Sequence, residues 1–232
     1  MADLRLDPEP SAPFRAPAAP RRVDLGRVAV VLLFVLSLLS AAGKAWVTAT
    51  SGLPVREVAP GLASCLLTVA FCALVVTAYL RRGDAGATDR SAAVRLAAAS
   101  ATCLPLVIPA LPTGRPGEGA ALLAFVLIIA GTAWSVWAVR HLSTCLSVVP
   151  QARRLVDTGP YRLVRHPLYL GELVAVAGFA VRGGHWLHAV LLLTLLALQL
   201  YRAGREEGLL AGQVPGYSDY AARTWRIVPG VV

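Results

Sequence analysis

The chain has 232 residues, of which 56% are hydrophobic and only 15% are charged, and its formal net charge is +9. A soluble domain of this size has no core large enough to hide so much apolar surface, so the composition indicates an integral membrane protein. Positive charge in a soluble protein would suggest nucleic acid, but here its placement bears on topology and we expect no nucleic-acid partner.

Apolar residues are gathered in blocks. Three blocks, residues 28–47, 61–80 and 119–139, are each about as long as the ~20 residues that cross a hydrocarbon core. A weaker fourth block, residues 92–111, contains Arg95 near one end and two prolines towards the other. Arginine can snorkel to the interface and proline can sit in a kinked, packed helix, so this block also predicts a span.

Two shorter apolar runs follow, at residues 167–181 and 186–201. At ~1.5 Å per residue each reaches only about 22 to 24 Å, which predicts a helical hairpin that just crosses or nearly crosses the bilayer. The fold class is therefore an all-α integral membrane protein with five to six transmembrane helices. Residues 1–27, rich in Pro and Ala, predict a disordered tail. Residues 28–139 form a four-helix scaffold and 140–232 a separate C-terminal region.

The basic residues predict the orientation. Eighteen of the 22 fall in the tail or in segments 81–95, 140–165 and 202–226, which lie on one side of the predicted spans. The positive-inside rule makes that side cytoplasmic, together with both termini. Arginine greatly outnumbers lysine and alanine is abundant, which suggests a GC-rich coding sequence and a bacterial plasma membrane.

The four cysteines show no CxxC spacing and no pairing with histidine, so neither a disulfide framework nor a metal site is indicated. They are Cys65, Cys72, Cys103 and Cys145.

Polar and aromatic residues crowd one membrane boundary, residues 155–171, within the run RRLVDTGPYRLVRHPLYLGE. Gly159 and Pro160 predict a turn, and Pro167 suits the first turn of the next helix, where its missing N–H needs no partner. A helix N-terminus has unsatisfied donors and partial positive charge, so this one can receive an anion such as a carboxylate.

A second polar cluster follows the sixth apolar run and contains Tyr201, Arg202, Arg205, Glu206 and Glu207. A hairpin brings both clusters to the same membrane face. They can form an interfacial ion-pair network and nothing more, or a ligand site; the cost of ionisable groups at a membrane boundary favours the latter somewhat.

The two clusters carry a family resemblance. The run TGPYRLVRHPLYLG at residues 158–171, the Glu pair, the pattern Gly216, Tyr217, Tyr220 and the closing RIVP at 226–229 closely resemble the isoprenylcysteine carboxyl methyltransferase family, in particular its prokaryotic members. The resemblance implies a membrane methyltransferase that uses S-adenosylmethionine and has residues 140–232 as its catalytic region. The implied cofactor-binding residues are Tyr161, Arg165, His166, Pro167, Tyr169, Gly171, Glu206 and Glu207.

The chemistry of these residue types suits that cofactor. Glu206 or Glu207 can accept hydrogen bonds from its ribose or amino group, and Arg165 with the helix end can take its carboxylate. A carboxylate acceptor needs no general base but needs an arginine, so Arg165, Arg202 and Arg205 are the candidate catalytic residues. His166 can act as a base towards an amine, thiol or hydroxyl, although its motif position favours hydrogen bonding.

The leading hypothesis is methyl transfer from S-adenosylmethionine to a lipophilic acceptor, such as a carboxylate, that arrives through the lipid bilayer. The alternatives are a phospholipid or small-molecule methyltransferase, an NADPH-dependent oxidoreductase of the sterol-reductase type, which carries a similar RHPxY stretch, and a non-catalytic membrane protein. The acceptor and the oligomeric state stay open.

Overall fold

The computed structural model describes residues 25–81, 87–88, 91–114, 117–142, 145–149, 151–152 and 155–230. Within these ranges seven α-helices follow one another: α1 Leu25–Ala49, α2 Val55–Arg81, α3 Ala92–Cys103, α4 Glu118–Leu142, α5 Pro167–Gly183, α6 Trp186–Gln213 and α7 Tyr217–Ala222. Short 3-10 helices lie at Leu104–Ala110 and Gly159–Arg162, and two-residue strands β1 Ala87–Thr88 and β2 Gln151–Ala152 pair antiparallel. The predicted tail lies, up to residue 24, outside the described residues.

Four described helices are long and apolar enough to cross a membrane: Gly26–Ala49, Gly61–Arg81, Glu118–Leu142 and Trp186–Gln213. They confirm the all-α membrane class and include the three strongest predicted blocks. The prediction for the last run was wrong in length, because α6 continues for 28 residues, about 42 Å. Strong helix formers such as Arg, Glu, Ala and Leu follow Tyr201 and prolong the helix. The second polar cluster therefore lies on α6 rather than after it.

The weak fourth block is not one continuous α-helix. Its α-helical part, α3, has 12 residues, about 18 Å, and then becomes the 3-10 helix Leu104–Ala110. Pro105 explains the change, because proline lacks the N–H of the α-helical ladder and its ring clashes with the preceding turn. The α-helical part of this block is thus too short to cross a bilayer alone.

The predicted hairpin of α5 and α6 turns tightly. Gly184 ends α5 in the left-handed conformation, with φ of 60°, which glycine adopts without steric cost. His185 caps α6 by accepting a hydrogen bond from the Leu187 N–H at 3.3 Å. Val176 and Leu191 then pack in one apolar cluster between the helices. The hairpin fixes the start of α5 and the end of α6 at the same end of the bundle.

The closest helix contact lies between α4 and α5. A Cβ atom on Gly131 would lie 2.4 Å from the Ala175 nitrogen and 2.6 Å from the Gly171 oxygen. A Cβ on Gly171 would lie 2.4 Å from the Ser135 hydroxyl oxygen. Small residues on both helices let the backbones approach, which is how helices associate where the surrounding lipid is as apolar as leucine.

Replacement of Gly131 by valine tests this contact. We expect Gly131→Val to lower the free energy of unfolding by about 1–3 kcal/mol, because the added methyls would overlap the α5 backbone and force the helices apart. Unfolding in mixed detergent micelles, followed by circular dichroism, measures the loss. Gly119→Val is the matched control on the same helix, since a Cβ there meets nothing within 4 Å. Equal stability of the two variants would contradict the close approach.

Candidate functional site

The chain just before α5 is held by the segment that follows α7, residues 223–230, which we call the C-terminal segment. The Arg165 N–H donates to the Trp225 carbonyl at 2.7 Å and the His166 N–H to the Arg226 carbonyl at 3.0 Å. The Trp225 N–H donates in turn to the Leu163 carbonyl at 3.2 Å. These bonds bring the two distant parts of the sequence motif, RHP and RIVP, side by side.

Glu207 is the centre of an ion-pair cluster. Its Oε1 accepts from Arg165 Nε at 2.7 Å, and its Oε2 from Arg226 Nε at 3.0 Å and Nη2 at 2.8 Å. His166 Nε2 lies 3.3 Å from Oε1. Arg165 also donates to the Ala221 carbonyl at 2.7 Å. Glu207 thereby ties α6 to the start of α5 and to the C-terminal segment, a role that the sequence did not reveal because Arg226 is 19 residues away.

Glu206, the other member of the pair, has fewer protein partners among the described residues. Its Oε2 accepts from the Tyr169 hydroxyl at 3.0 Å and lies 3.8 Å from His166 Nδ1. Its side chain is 29% exposed, against 13% for Glu207. Of the two predicted carboxylates, Glu206 is therefore the one with room for a ligand.

Loss of the Glu207 charge tests its role as an anchor. In Glu207→Gln, we expect Arg165 and Arg226 to lose their anionic partner and the C-terminal segment to become less tightly held. Breaking a fully buried ion pair costs about 3–5 kcal/mol, and we expect a smaller loss here because the pairs are half-buried. Hydrogen–deuterium exchange of the Arg165, His166 and Trp225 amides measures the change and should rise strongly.

The exposed Glu118→Gln substitution on α4 provides the control and should leave those amides protected. Unchanged exchange in Glu207→Gln would show that the backbone pairing holds without the ion pairs.

The Tyr169 ring lies at the middle of the site. The His166 ring stacks on it with centroids 5.1 Å apart and planes 7° from parallel, and the Arg202 guanidinium lies 4.8 Å from its centroid. The Tyr169 side chain is buried and its hydroxyl is fixed by Glu206. A buried tyrosine is thus held by a stacked ring, a cation and a carboxylate at once.

A small cavity of about 60 Å³ lies beside Glu206; its wall is partly apolar, but we call it the polar cavity because it contains several polar and charged groups of the site. Four of the predicted cofactor residues line it: Tyr161, Arg165, His166 and Glu206. The other lining residues are Leu142, Cys145, Leu155, Val156, Leu210, Tyr217 and Tyr220. Ligand pockets usually measure about 300–1,000 Å³, so we expect this cavity to widen when a nucleoside-sized ligand binds.

The remaining predicted site residues lie elsewhere. Pro167 begins α5 and is buried, and Gly171 lies in the α4–α5 contact. Arg205 is exposed on α6 and lines neither cavity, while Arg202 is buried and faces the other cavity. The roles assigned to these residues stay predictions.

Tyr217 and Tyr220 line the polar cavity and belong to the sequence motif, but the sequence did not indicate what they do. The Tyr220 hydroxyl donates to the Tyr161 carbonyl at 2.8 Å, and burial raises the pKa of Tyr220 to about 12, so this hydroxyl keeps its proton. Burial also raises the pKa of Tyr217, whose hydroxyl is buried without a hydrogen-bond partner in the described part of the chain. Such a hydroxyl is available to a ligand.

A larger chamber of about 290 Å³ lies on the membrane side of Tyr169. Its wall is mostly apolar and is formed by α1, α2, the end of α3 and the 3-10 helix that follows it, α4, residues 146–148, α5, and Arg202 of α6. Leu106 lines the chamber and is 51% exposed, so only the 3-10 helix separates the chamber from the outer surface at this point.

The polar end of the chamber contains residues that the sequence did not single out. Gln199 donates to Glu172 and accepts from Arg202 Nη1 at 3.0 Å. Arg202 Nη2 donates to the Val148 carbonyl at 2.7 Å. A glutamate and a glutamine inside apolar runs were the available signal, because polar groups at that depth are costly unless they are paired or functional.

Tyr169 connects the two cavities. Its side chain lines the apolar chamber, and its hydroxyl bonds to Glu206, which lines the polar cavity. A polar ligand in one cavity and an apolar molecule in the other would therefore meet at this residue.

Residues 119–212 match the family described as phospholipid methyltransferase. The match covers less than half of the chain and includes nearly all of α4, α5 and α6, hence Tyr169, Arg202 and both glutamates of the pair. The match supports the interpretation of the chain as a membrane methyltransferase. The matched family is part of the same broader group of membrane methyltransferases as the family that the motif resembles. Methyltransferases of this family generally use S-adenosylmethionine.

Two curated relatives share part of the chain. The nickel-cobalt-cadmium resistance protein NccN of Alcaligenes xylosoxydans xylosoxydans is 35% identical over 80 residues, 34% of this chain and 38% of that protein. The cobalt-zinc-cadmium resistance protein CzcN of Cupriavidus metallidurans is 36% identical over 76 residues, 32% of this chain and 35% of that protein. The similarity thus spans little more than a third of each relative.

Proposed function

We propose that this protein transfers a methyl group from S-adenosylmethionine to a lipophilic acceptor. The observation that carries the proposal is the position of Tyr169, which lines the apolar chamber and donates a hydrogen bond to Glu206 in the wall of the polar cavity. It lies within the stretch that matches phospholipid methyltransferases. A polar methyl donor and an apolar acceptor need two such compartments with a common border.

The polar cavity provides groups that suit the donor. Glu206 accepts hydrogen bonds from the ribose or the amino group, and the unpartnered Tyr217 hydroxyl adds a donor. Arg165 lines the same cavity and supplies positive charge for the amino-acid carboxylate. Glu207 holds Arg165 and so positions it. Glu206 therefore binds the cofactor, and Glu207 positions the arginine beside it.

The apolar chamber suits the acceptor. A hydrocarbon tail enters from the bilayer beside Leu106 and places its polar head near Tyr169 and Arg202. Methyl transfer is an in-line displacement, so the protein accelerates it by aligning the two reactants and excluding water. The bond from sulfur to the methyl carbon breaks while the bond from that carbon to the acceptor forms, and no covalent bond to the protein is needed.

Two finer readings of the acceptor follow from the two family likenesses. The motif resemblance suggests a carboxylate, as in isoprenylcysteine carboxyl methyltransferases, whereas the family match suggests a phospholipid head group. The two relatives are named for metal resistance, and these names do not specify a reaction or a methyl acceptor. In the part of the chain that the structure describes, no three His, Cys, Asp or Glu side chains converge on a metal site.

Cofactor binding is the first test. We expect the full chain, purified in detergent, to bind S-adenosylmethionine in isothermal titration calorimetry. Glu206→Gln should weaken binding about 10- to 150-fold, because a hydrogen bond to a charged group contributes about 1.5–3 kcal/mol.

Glu118→Gln, on the exposed first turn of α4, is the matched control and should bind as the wild type does. Binding of NADPH with no binding of S-adenosylmethionine would overturn the proposal in favour of the reductase alternative.

Filling the chamber tests the acceptor side. Thr68 lines the chamber from α2, and we expect Thr68→Trp to reduce methyl transfer to membrane lipids at least about tenfold while the Kd for S-adenosylmethionine stays unchanged. The bulky ring would occupy the space that an apolar tail needs. Incorporation of radiolabelled methyl into a lipid extract measures transfer.

Leu66→Trp places the same ring on the outer face of α2, where Leu66 is 56% exposed, and serves as the control. Equal transfer by both variants would exclude the chamber as the acceptor site.

A further inference from the structure

Glu172 lies on α5 one turn beyond Tyr169 and lines the apolar chamber. Its Oε2 accepts a hydrogen bond from Gln199. Within the described residues its Oε1 has no hydrogen-bond partner. Glu172 is thus the one carboxylate among the described residues that line this mostly apolar chamber, one helical turn from Tyr169, near which the head of an acceptor would lie. Neither the motif resemblance nor the family match explains this residue.

Arg202, the neighbouring cation, is already committed to the protein. Its Nη1 donates to Gln199 and its Nη2 to the Val148 carbonyl, while its Nε is buried without a hydrogen-bond partner in the described part of the chain. Gln199 bridges Arg202 to Glu172, so the guanidinium compensates the carboxylate and helps to fix it. Arg202 also lines the chamber, but both Nη groups already bond to the protein and the Nε is closed off by burial, so the Glu172 carboxylate is the charged group there that is left to bond a ligand.

This arrangement discriminates between acceptor classes. A carboxylate head would meet the like charge of Glu172 in apolar surroundings, where repulsion is weakly screened and desolvation is costly. A hydroxyl or amine head would find an oxygen that accepts its hydrogen. The chamber consequently favours a head group with an O–H or N–H bond over a carboxylate.

We propose that Glu172 accepts the proton of the methyl acceptor, and that the acceptor is an apolar molecule whose head group is a hydroxyl or an amine. This inference rests on the proposed function and names the substrate class of the same site. Proton removal by a positioned side chain contributes about 10²- to 10⁴-fold to such reactions.

The step balances without a further reactant. The lone pair of the acceptor oxygen or nitrogen attacks the methyl carbon, and the bond from that carbon to the sulfonium sulfur breaks with its electrons left on sulfur. The acceptor proton passes to the Glu172 carboxylate. A neutral acceptor, a sulfonium and a carboxylate become a methylated acceptor, a thioether and a carboxylic acid, which later returns its proton to solvent.

The test uses the chemical stability of the product. The full chain in lipid nanodiscs receives total bacterial lipid extract and methyl-labelled S-adenosylmethionine, and the labelled lipids are then treated with alkali. Methyl esters release volatile methanol, whereas N-methyl groups and methyl ethers stay on the lipid. We expect alkali-stable label. Glu172→Gln should reduce it about 100-fold or more and leave the Kd for S-adenosylmethionine unchanged, and Glu118→Gln should match the wild type.

Parallel vesicles that contain a primary-amine lipid, a long-chain alcohol or a fatty acid separate the two favoured head groups from the excluded one. Preference for the fatty acid, or label lost as methanol, would overturn the inference and leave the proposed function standing. Failure of the wild type to bind S-adenosylmethionine would overturn both.

Full labelling by Glu172→Gln would also refute the role of Glu172. If that variant does not fold, Glu172→Asp retains the charge on a side chain one methylene shorter. We expect it to bind the cofactor normally and to label lipids about tenfold less, and labelling equal to the wild type would refute the proposal.

Discussion

The ion-pair cluster around Glu207 is the constraint on which the site depends. One carboxylate receives hydrogen bonds from Arg165 and Arg226, and thereby joins α6, the start of α5 and the C-terminal segment. Two of these three, α6 and the chain at the start of α5, contribute residues to the polar cavity. A charge-assisted pair of this kind is directional as well as strong, so it fixes where His166 and the adjacent Glu206 point. Glu207 is thereby committed to the two arginines, whereas Glu206 lines the cavity.

Helix length and helix packing determine the second compartment. Glycines such as Gly131 and Gly171 bring α4 and α5 into backbone contact, while Pro105 ends the α-helical part of the fourth block early. Close packing on one side and a break on the other leave a mostly apolar chamber that Leu106 lines from the 3-10 helix. An apolar chamber beside a polar cavity would suit the proposed reaction between a lipid and a soluble cofactor.

Several features were predictable from the chain alone, and the reason is that they are local. Blocks of about 20 apolar residues identify membrane helices because each block must satisfy its own backbone hydrogen bonds. Pro167 correctly indicated the start of α5. The length of α6 was underestimated, since an apolar run reports the part of a helix that lipid covers and not where the helix ends. The predicted division at residue 140 and the cytoplasmic orientation stay predictions.

The sequence by itself determined that this is a helical membrane protein with two polar clusters at one end, because hydropathy and motif spacing depend on neighbouring residues. Only the tertiary structure distinguished Glu206 from Glu207, since two adjacent glutamates look alike until their partners, Arg226 among them, are brought close from distant positions. It also placed Glu172 at the polar end of the chamber through Gln199. Which side of a helix a residue faces, and what it meets there, depends on packing between segments that the sequence order keeps apart.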